Sequence, residues 1–493
     1  GATGGRSHLM ATRLCDNATH AGPSATLLTA RHHESFASSR GDVRRLQRAL
    51  RAGRGITVAA IGSSNVVRGG CHAWQQTKCS LDPRYAKGWL VRFFADLNET
   101  WPHPQNVLLN HARMATDPSY FLPCVNRAVP DAVDLLLIGF GEFCDLRSPL
   151  SKRPGAYNLT STNWFSAAIE GIIATLRRRD DPPTIVLWNA HKWRRSGDGC
   201  VPAPSTRPRA PGTEPPDADD TLMCDYFSSC DQDLSAIATY HFVSSLSLRN
   251  AFFADAHCAS SSLHWRRWTI DAGTHLSAEG DELVGALMSR WLRDVAARPS
   301  DAAAPPRQPL LAGPFADATQ RPALCFSFDD EFVETYLLEM QRNNYGMPYR
   351  YQAQAPQLAS ETSCGLERQQ RSSHGLVNKS GLVCTRGDCV TLNTTVSPPL
   401  RARIGYVASP DSRAEAVISC AAGCICGRRH VVAHQLEGTT LREASVDAIT
   451  AGAAGAGVLS GGRFCHVRLC ATKKGERFKM VSLTVELPAA VIY

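Results

Sequence analysis

Apolar positions follow two alternating rhythms up to about residue 297. Residues 42–50 place Val43, Leu46 and Leu50 on one helical face, and they run into Ile56 to Ile61, a β-branched apolar stretch ending at Gly62. The same pairing recurs. Residues 89–97 predict a helix, 107–109 and 134–138 strands, 164–178 a helix, 185–188 a strand, and 242–248 a fifth apolar run. Residues 277–295 close the region as an amphipathic helix, with Leu283, Leu287, Trp291 and Val295 in register. Strands that are apolar throughout and alternate with helices predict a parallel sheet covered on both faces, a three-layer α/β sandwich over 41–298.

Elsewhere the rhythm changes or stops. Residues 1–40 are polar and without periodicity, which predicts an N-terminal extension, and the Pro/Gly/Asp-rich stretch 197–220 predicts a surface insertion. Residues 299–322 form a Pro/Ala-rich linker. Beyond it, over 323–493, short β-favouring runs at 382–384, 389–392, 402–407, 416–418, 465–469 and 478–485 are separated by turn residues. That spacing predicts a second domain, an all-β sandwich.

Composition narrows the setting. A chain of 493 residues with 43% hydrophobic and 20% charged residues builds more than one core and is not disordered. No stretch reaches the roughly 18 consecutive apolar residues needed to span a bilayer. The net charge of +8 is dispersed, which argues against nucleic acid as a partner. Eighteen cysteines predict a disulfide framework and an oxidising compartment. Sequons at Asn17, Asn98, Asn158, Asn378 and Asn393 agree with secretion and surface glycosylation. The rival reading is zinc, because Cys420, Cys424 and Cys426 are closely spaced, with His430, Cys465 and Cys470 following; no standard finger has that spacing, and the expectation is disulfides and no metal.

Ligand sites of open α/β sheets lie at the carboxyl ends of the strands. At the first such end, Gly62 permits a tight turn and Ser64 projects a hydroxyl, a candidate nucleophile that is equally an ordinary helix N-cap. Before the last helix, Asp271 precedes His275 by four positions in a loop, as suits a base held in one tautomer by an acid.

Together these blocks carry a resemblance. Gly62-x-Ser64, Asn110-x-Ala112, Gly139-x-Gly141-Glu142 and His275-Leu-Ser-x-x-Gly280 resemble the ordered blocks of SGNH/GDSL-type esterases over residues 55–297. The resemblance implies Ser64 as nucleophile, His275 as base, Asp271 as acid, and an oxyanion hole from the N–H groups of Ser64 and a residue near Ala115, with Gly141 at the third block. The chain departs from the pattern at Ser63, where aspartate is usual, at Met114 or Ala115 for a glycine, and at Gly141 or Glu142 for an asparagine. Losing one oxyanion donor costs about 2.7–4 kcal/mol of transition-state stabilisation. Residues 379–383, 418–426, 464–467 and 477–485 resemble the cysteine-containing β domain that follows such domains in secreted algal proteins.

The expectation is a cofactor-free, secreted or cell-surface serine ester hydrolase acting on acyl, for example acetyl, esters of extracellular carbohydrate or glycoprotein. The alternative is a catalytically degenerate domain that serves as a structural or glycan-binding part of an extracellular assembly.

Overall fold

The structure, a computed structural model, describes residues 28–39, 41–67, 88–112, 116, 118–141, 164–191, 193, 231–256, 261–270, 273, 275–299, 323–327, 356–359, 362–367, 381–409, 411–434, 440–450 and 464–487. The insertion at 197–220, nearly all of the linker, the sequons at Asn17, Asn158 and Asn378, and Asp271, Met114, Ala115 and Glu142 lie outside these residues. The chain divides into two compact units: Gly1–Met114, Asp131–Ser166 and Arg177–Leu311 form one, and Ala115–Pro130, Ala167–Leu176 and Ala312–Tyr493 the other. The second unit thus takes in two stretches that the linear reading gave to the α/β domain.

In the first unit, α1 (Ala30–Phe36), β1 (Ala37–Ser39), α2 (Arg44–Arg51), β2 (Thr57–Gly62), α3 (Ser64–Val67), α4 (Trp89–Thr100), β3 (Val107–Asn110) and β4 (Leu135–Gly139) come first. The helix α5 (Trp164–Arg177), of which Ala167–Leu176 are counted with the second unit, precedes β5 (Thr184–Asn189), α6 (Asp231–His241), β6 (Ser244–Ser247), α7 (Leu248–Ala256), the short strands β7 (Thr269–Ile270) and β8 (His275–Leu276), and α8 (Ala278–Ala297). The main sheet has the order β1-β6-β5-β4-β2-β3, with five parallel strands and β1 antiparallel on the β6 edge. Every residue of β4 and β5 is buried, which is why their sequences are apolar without alternation.

Two expectations change here. Part of the supposed extension, Ala30–Ser39, folds as α1 and β1, with Phe36 and His32 buried. The apolar run 242–248 is shared between elements: Phe242 sits at φ 53°, β6 spans Ser244–Ser247, and α7 begins at Leu248.

In the second unit, two antiparallel sheets enclose one core. The first has the order β10-β13-β18-β15-β16, with β10 Gln357–Leu358, β13 Cys389–Asn393, β15 Glu415–Ala422, β16 Arg429–Val432 and β18 His466–Ala471. The other has the order β11-β12-β19-β14-β17, with β11 Gly365–Glu367, β12 Gly381–Cys384, β14 Leu400–Ala408, β17 Thr440–Ala448 and β19 Phe478–Glu486, and β9 (Ala323–Ser327) also pairs with β19. Alternating inward residues such as Val390, Leu392, Val467, Leu469, Ile404 and Leu483 fill the space between.

Disulfides join Cys364–Cys384, Cys389–Cys470, Cys420–Cys426, Cys424–Cys465 and Cys124–Cys325. The Sγ atoms of Cys420, Cys424 and Cys465 lie within 4.8 Å of one another, the spacing that raised zinc, but each is bonded to another sulfur. Of the described sequons, Asn98 lies half-buried in the last turn of α4 and accepts from Asn106 Nδ2 at 2.7 Å. Asn393, also half-buried, accepts the Thr395 N–H at 2.9 Å.

Candidate active site

The turn after β2 is built by close approach. Gly62 lies opposite Gly139 of β4, and a Cβ on Gly62 would stand 2.3 Å from the Gly139 carbonyl oxygen, so only glycine fits. Ser63, fully buried, donates its N–H to that same oxygen at 3.0 Å. The chain then enters α3 with Ser64 as its first residue. A residue at this position has no intrahelical acceptor for its N–H, which leaves the donor available to an anion beside the hydroxyl.

His275 reaches the same place from the far end of the unit. It opens β8, opposite Ile270 of β7, in a narrow hairpin. Gly273, at φ 84°, takes the left-handed turn within the hairpin, and its carbonyl accepts the Trp193 N–H at 3.1 Å. The Ser277 N–H donates to the Trp268 carbonyl at 2.9 Å, and the Ser277 hydroxyl caps α8 by accepting from the Gly280 N–H at 3.2 Å. A Cβ on Gly280 would meet the Trp268 carbonyl oxygen at 2.1 Å, so this glycine too is required by contact.

The two candidate side chains meet. His275 Nε2 lies 2.8 Å from Ser64 Oγ across 211 positions of sequence, within the range for a nucleophile and its base. Both residues are half-buried, so the pair keeps access to solvent. This geometry is one in which an imidazole can take a hydroxyl proton as the oxygen attacks a carbonyl.

The rest of the expected constellation is placed less completely. Gly141 follows β4, and a Cβ there would lie 2.6 Å from the Ala190 carbonyl oxygen and 3.0 Å from the Ala190 nitrogen. Packing against the segment after β5 thus bars any side chain at 141, and this position offers backbone alone where the resembled pattern has an asparagine. Asp271, Ala115 and Glu142 lie outside the described residues. Asn110 ends β3, and its Oδ1 accepts the Ala112 N–H at 3.1 Å.

Several neighbours were not singled out from sequence. Asn65 and Trp89 are buried beside the serine, and the Trp89 ring stacks on Trp188 at 4.7 Å. His191 meets Trp193 edge-on at 4.6 Å, and Trp193 meets Trp268 at 5.1 Å, which gives the base hairpin an aromatic floor. In the Ser-Ser-Asn string after the strand, the position of Asn65 carries no signal beyond a possible cap, and isolated tryptophans signal core.

No family model matches the sequence, and no curated protein matches it. Among solved structures, the chain is similar to a two-domain esterase (CEX) active on acetylated mannans, co-crystallised with mannopentaose: TM-score 0.51, 14% identity, covering 92% of this chain and 97% of that one. A second structure of a two-domain esterase (CEX) active on acetylated mannans gives TM-score 0.51 and 15% identity over 92% and 98%. A GDSL-lipase-like protein from Parabacteroides merdae covers 49% of this chain and 95% of its own, at 13% identity and TM-score 0.31. Parallel sheet, following β sandwich and coverage of both domains agree: the chain has the fold of these two-domain esterases, an α/β domain followed by a disulfide-stapled β domain.

Proposed function

We propose that the protein is a secreted serine ester hydrolase that removes acyl groups, acetyl foremost, from extracellular carbohydrate or glycoprotein. The observation that carries this is the 2.8 Å approach of His275 Nε2 to Ser64 Oγ. The reaction is a double displacement. Ser64 Oγ attacks the ester carbonyl while His275 takes its proton, and His275 then returns that proton to the departing sugar hydroxyl. Water, activated by the same imidazole, releases the acid and restores the serine. Asp271 orients the imidazole, and the N–H groups of Ser64, Ala115 and Gly141 receive the oxyanion. The disulfides support an extracytoplasmic setting. The acetylated-mannan activity of the similar two-domain esterases supports acetylated polysaccharide as the first substrate to try.

Gly141 favours a second reading. With no room for an asparagine side chain there, the site has lost one donor of the resembled pattern, as a domain retained for structure or glycan binding would. Hydrolysis of p-nitrophenyl acetate and of acetylated mannan by the full chain and by Ser64→Ala separates the two. The hydrolase reading expects the variant to lose at least about 100-fold in kcat. Equal rates leave the scaffold.

A further inference from the structure

A closed circuit of buried groups links the nucleophile turn to the base hairpin. Asn65, adjacent to Ser64 and 1% exposed, accepts on Oδ1 the N–H of Leu276, the residue after His275, at 3.3 Å. The Asn65 carbonyl oxygen accepts the Trp89 indole N–H at 2.8 Å. Trp89 opens α4 after Gly88, which has no side chain to cap it. Its main-chain N–H is capped from elsewhere, by Asp281 Oδ1 at 3.1 Å, from the first turn of α8. The Asp281 N–H donates to the Ser277 carbonyl at 2.9 Å, and this returns the circuit to within two residues of His275. Trp89 and Asp281 are fully buried, and Gly285 lets the two helices approach until its missing Cβ would lie 3.2 Å from Arg92 Cβ.

We propose that Asn65, Trp89 and Asp281 are positioning residues that set the separation of Ser64 Oγ from His275 Nε2. The inference rests on the serine–histidine pairing read above and deepens it. Ser64 sits on a four-residue helix and His275 on a two-residue strand, and neither element is long enough to hold its side chain still. The circuit supplies the missing rigidity through directional bonds away from solvent, where each is at its strongest. Burial pushes the Asp281 carboxyl up from its ordinary value, and asparagine at this position offers the Trp89 N–H the same side-chain oxygen.

Two readouts on the full-length chain test this: steady-state hydrolysis of p-nitrophenyl acetate, and the 15N resonance of His275 Nε2, which reports its hydrogen bond to Ser64. Asn65→Ala and Asp281→Ala are expected to lower kcat by about 10- to 100-fold with KM within about twofold. Both are expected to move the resonance toward its position in Ser64→Ala. In a Ser64→Ala background, Asn65→Ala is expected to change neither readout, and Asp281→Asn to recover most of what Asp281→Ala loses. Should the alanine variants fail to fold, Trp89→Phe, which removes only the indole donor, carries the same expectation. A folded Asn65→Ala or Trp89→Phe with native kcat and an unmoved resonance overturns the proposal. A native chain without Ser64-dependent hydrolysis, whose resonance nevertheless responds as expected, overturns the hydrolase reading and leaves the positioning role standing.

Discussion

At the scale of single residues, the site is shaped by what glycines leave out as much as by what side chains supply. Gly62, Gly141 and Gly280 each face a carbonyl oxygen so closely that an added methyl group would overlap it. Backbones brought this near to one another let the serine turn and the base hairpin converge. Gly141→Ala must push its Cβ against the Ala190 backbone, and a cost of about 1–3 kcal/mol is expected in the denaturant midpoint. Gly427 has nothing within 4 Å of its missing Cβ, and Gly427→Ala is expected to stay within about 0.5 kcal/mol of the native chain. Equal effects of the two substitutions would mean that contact does not govern position 141. Ser64 and His275 were readable from the chain because their neighbours form recognisable blocks. Asn65 was not, because its role depends on an acceptor geometry that no spacing encodes.

At the scale of elements, α1 shows how a helix without a strong local signal is held from outside. The sequence 30–36 lacks a clear apolar stripe, yet His32 Nε2 lies 3.1 Å from Asp255 Oδ2, and Arg31 Nη2 reaches the same oxygen at 2.7 Å. The His32 ring also packs on Phe252 of α7 at 5.6 Å. Burial by itself would raise the Asp255 carboxyl, but the hydrogen bond and charge of His32, with those of Arg31, outweigh it and hold the group below the ordinary carboxylate range. A carboxyl depressed in the folded state stabilises the fold above its unfolded value near 3.8, and that stability is lost as pH falls through the lower folded value. Asp255→Asn is therefore expected to lower the thermal midpoint at pH 7, by about 2–4 °C per kcal/mol lost. The gap to the native chain is expected to close as the pH drops below about 4. A gap that stays constant from pH 7 to pH 3 would remove the ion pair from the account of how α1 is anchored.

At the scale of the whole molecule, the described parts of the two units build their cores from different kinds of sheet. The first unit buries an uninterrupted parallel sheet. The second closes a small sandwich around Phe478, Met480 and Leu483, and the disulfides of the described residues lie in it. Within that unit, Cys124–Cys325 bridges 201 positions, whereas Cys420–Cys426 bridges only 6. If cross-links act by limiting the unfolded chain, the longer one stabilises by about 5 kcal/mol and the shorter by about 2 kcal/mol. Paired Cys→Ser variants of each bridge, unfolded in denaturant, are expected to rank in that order. The reverse order would show that local packing around the bridges, rather than loop length, sets their contribution.

The rhythm of strands and helices in the first region, the change to short alternating strands after the linker, and the positions of the serine and histidine blocks were legible along the chain. Each of these depends on neighbours a few positions apart, where apolar period and turn chemistry act directly. Polar strands such as β1, β16 and β17 escaped notice because their place in a sheet comes from partners, not from their own apolar content. That Asp281 caps a helix 192 positions away, that Cys124 pairs with Cys325, that Gly141 has no room for a side chain, and that His275 stands 2.8 Å from Ser64 came from the folded arrangement alone. Contacts of this kind are set by how sheet and helices pack, and packing brings together groups that the linear chain keeps far apart.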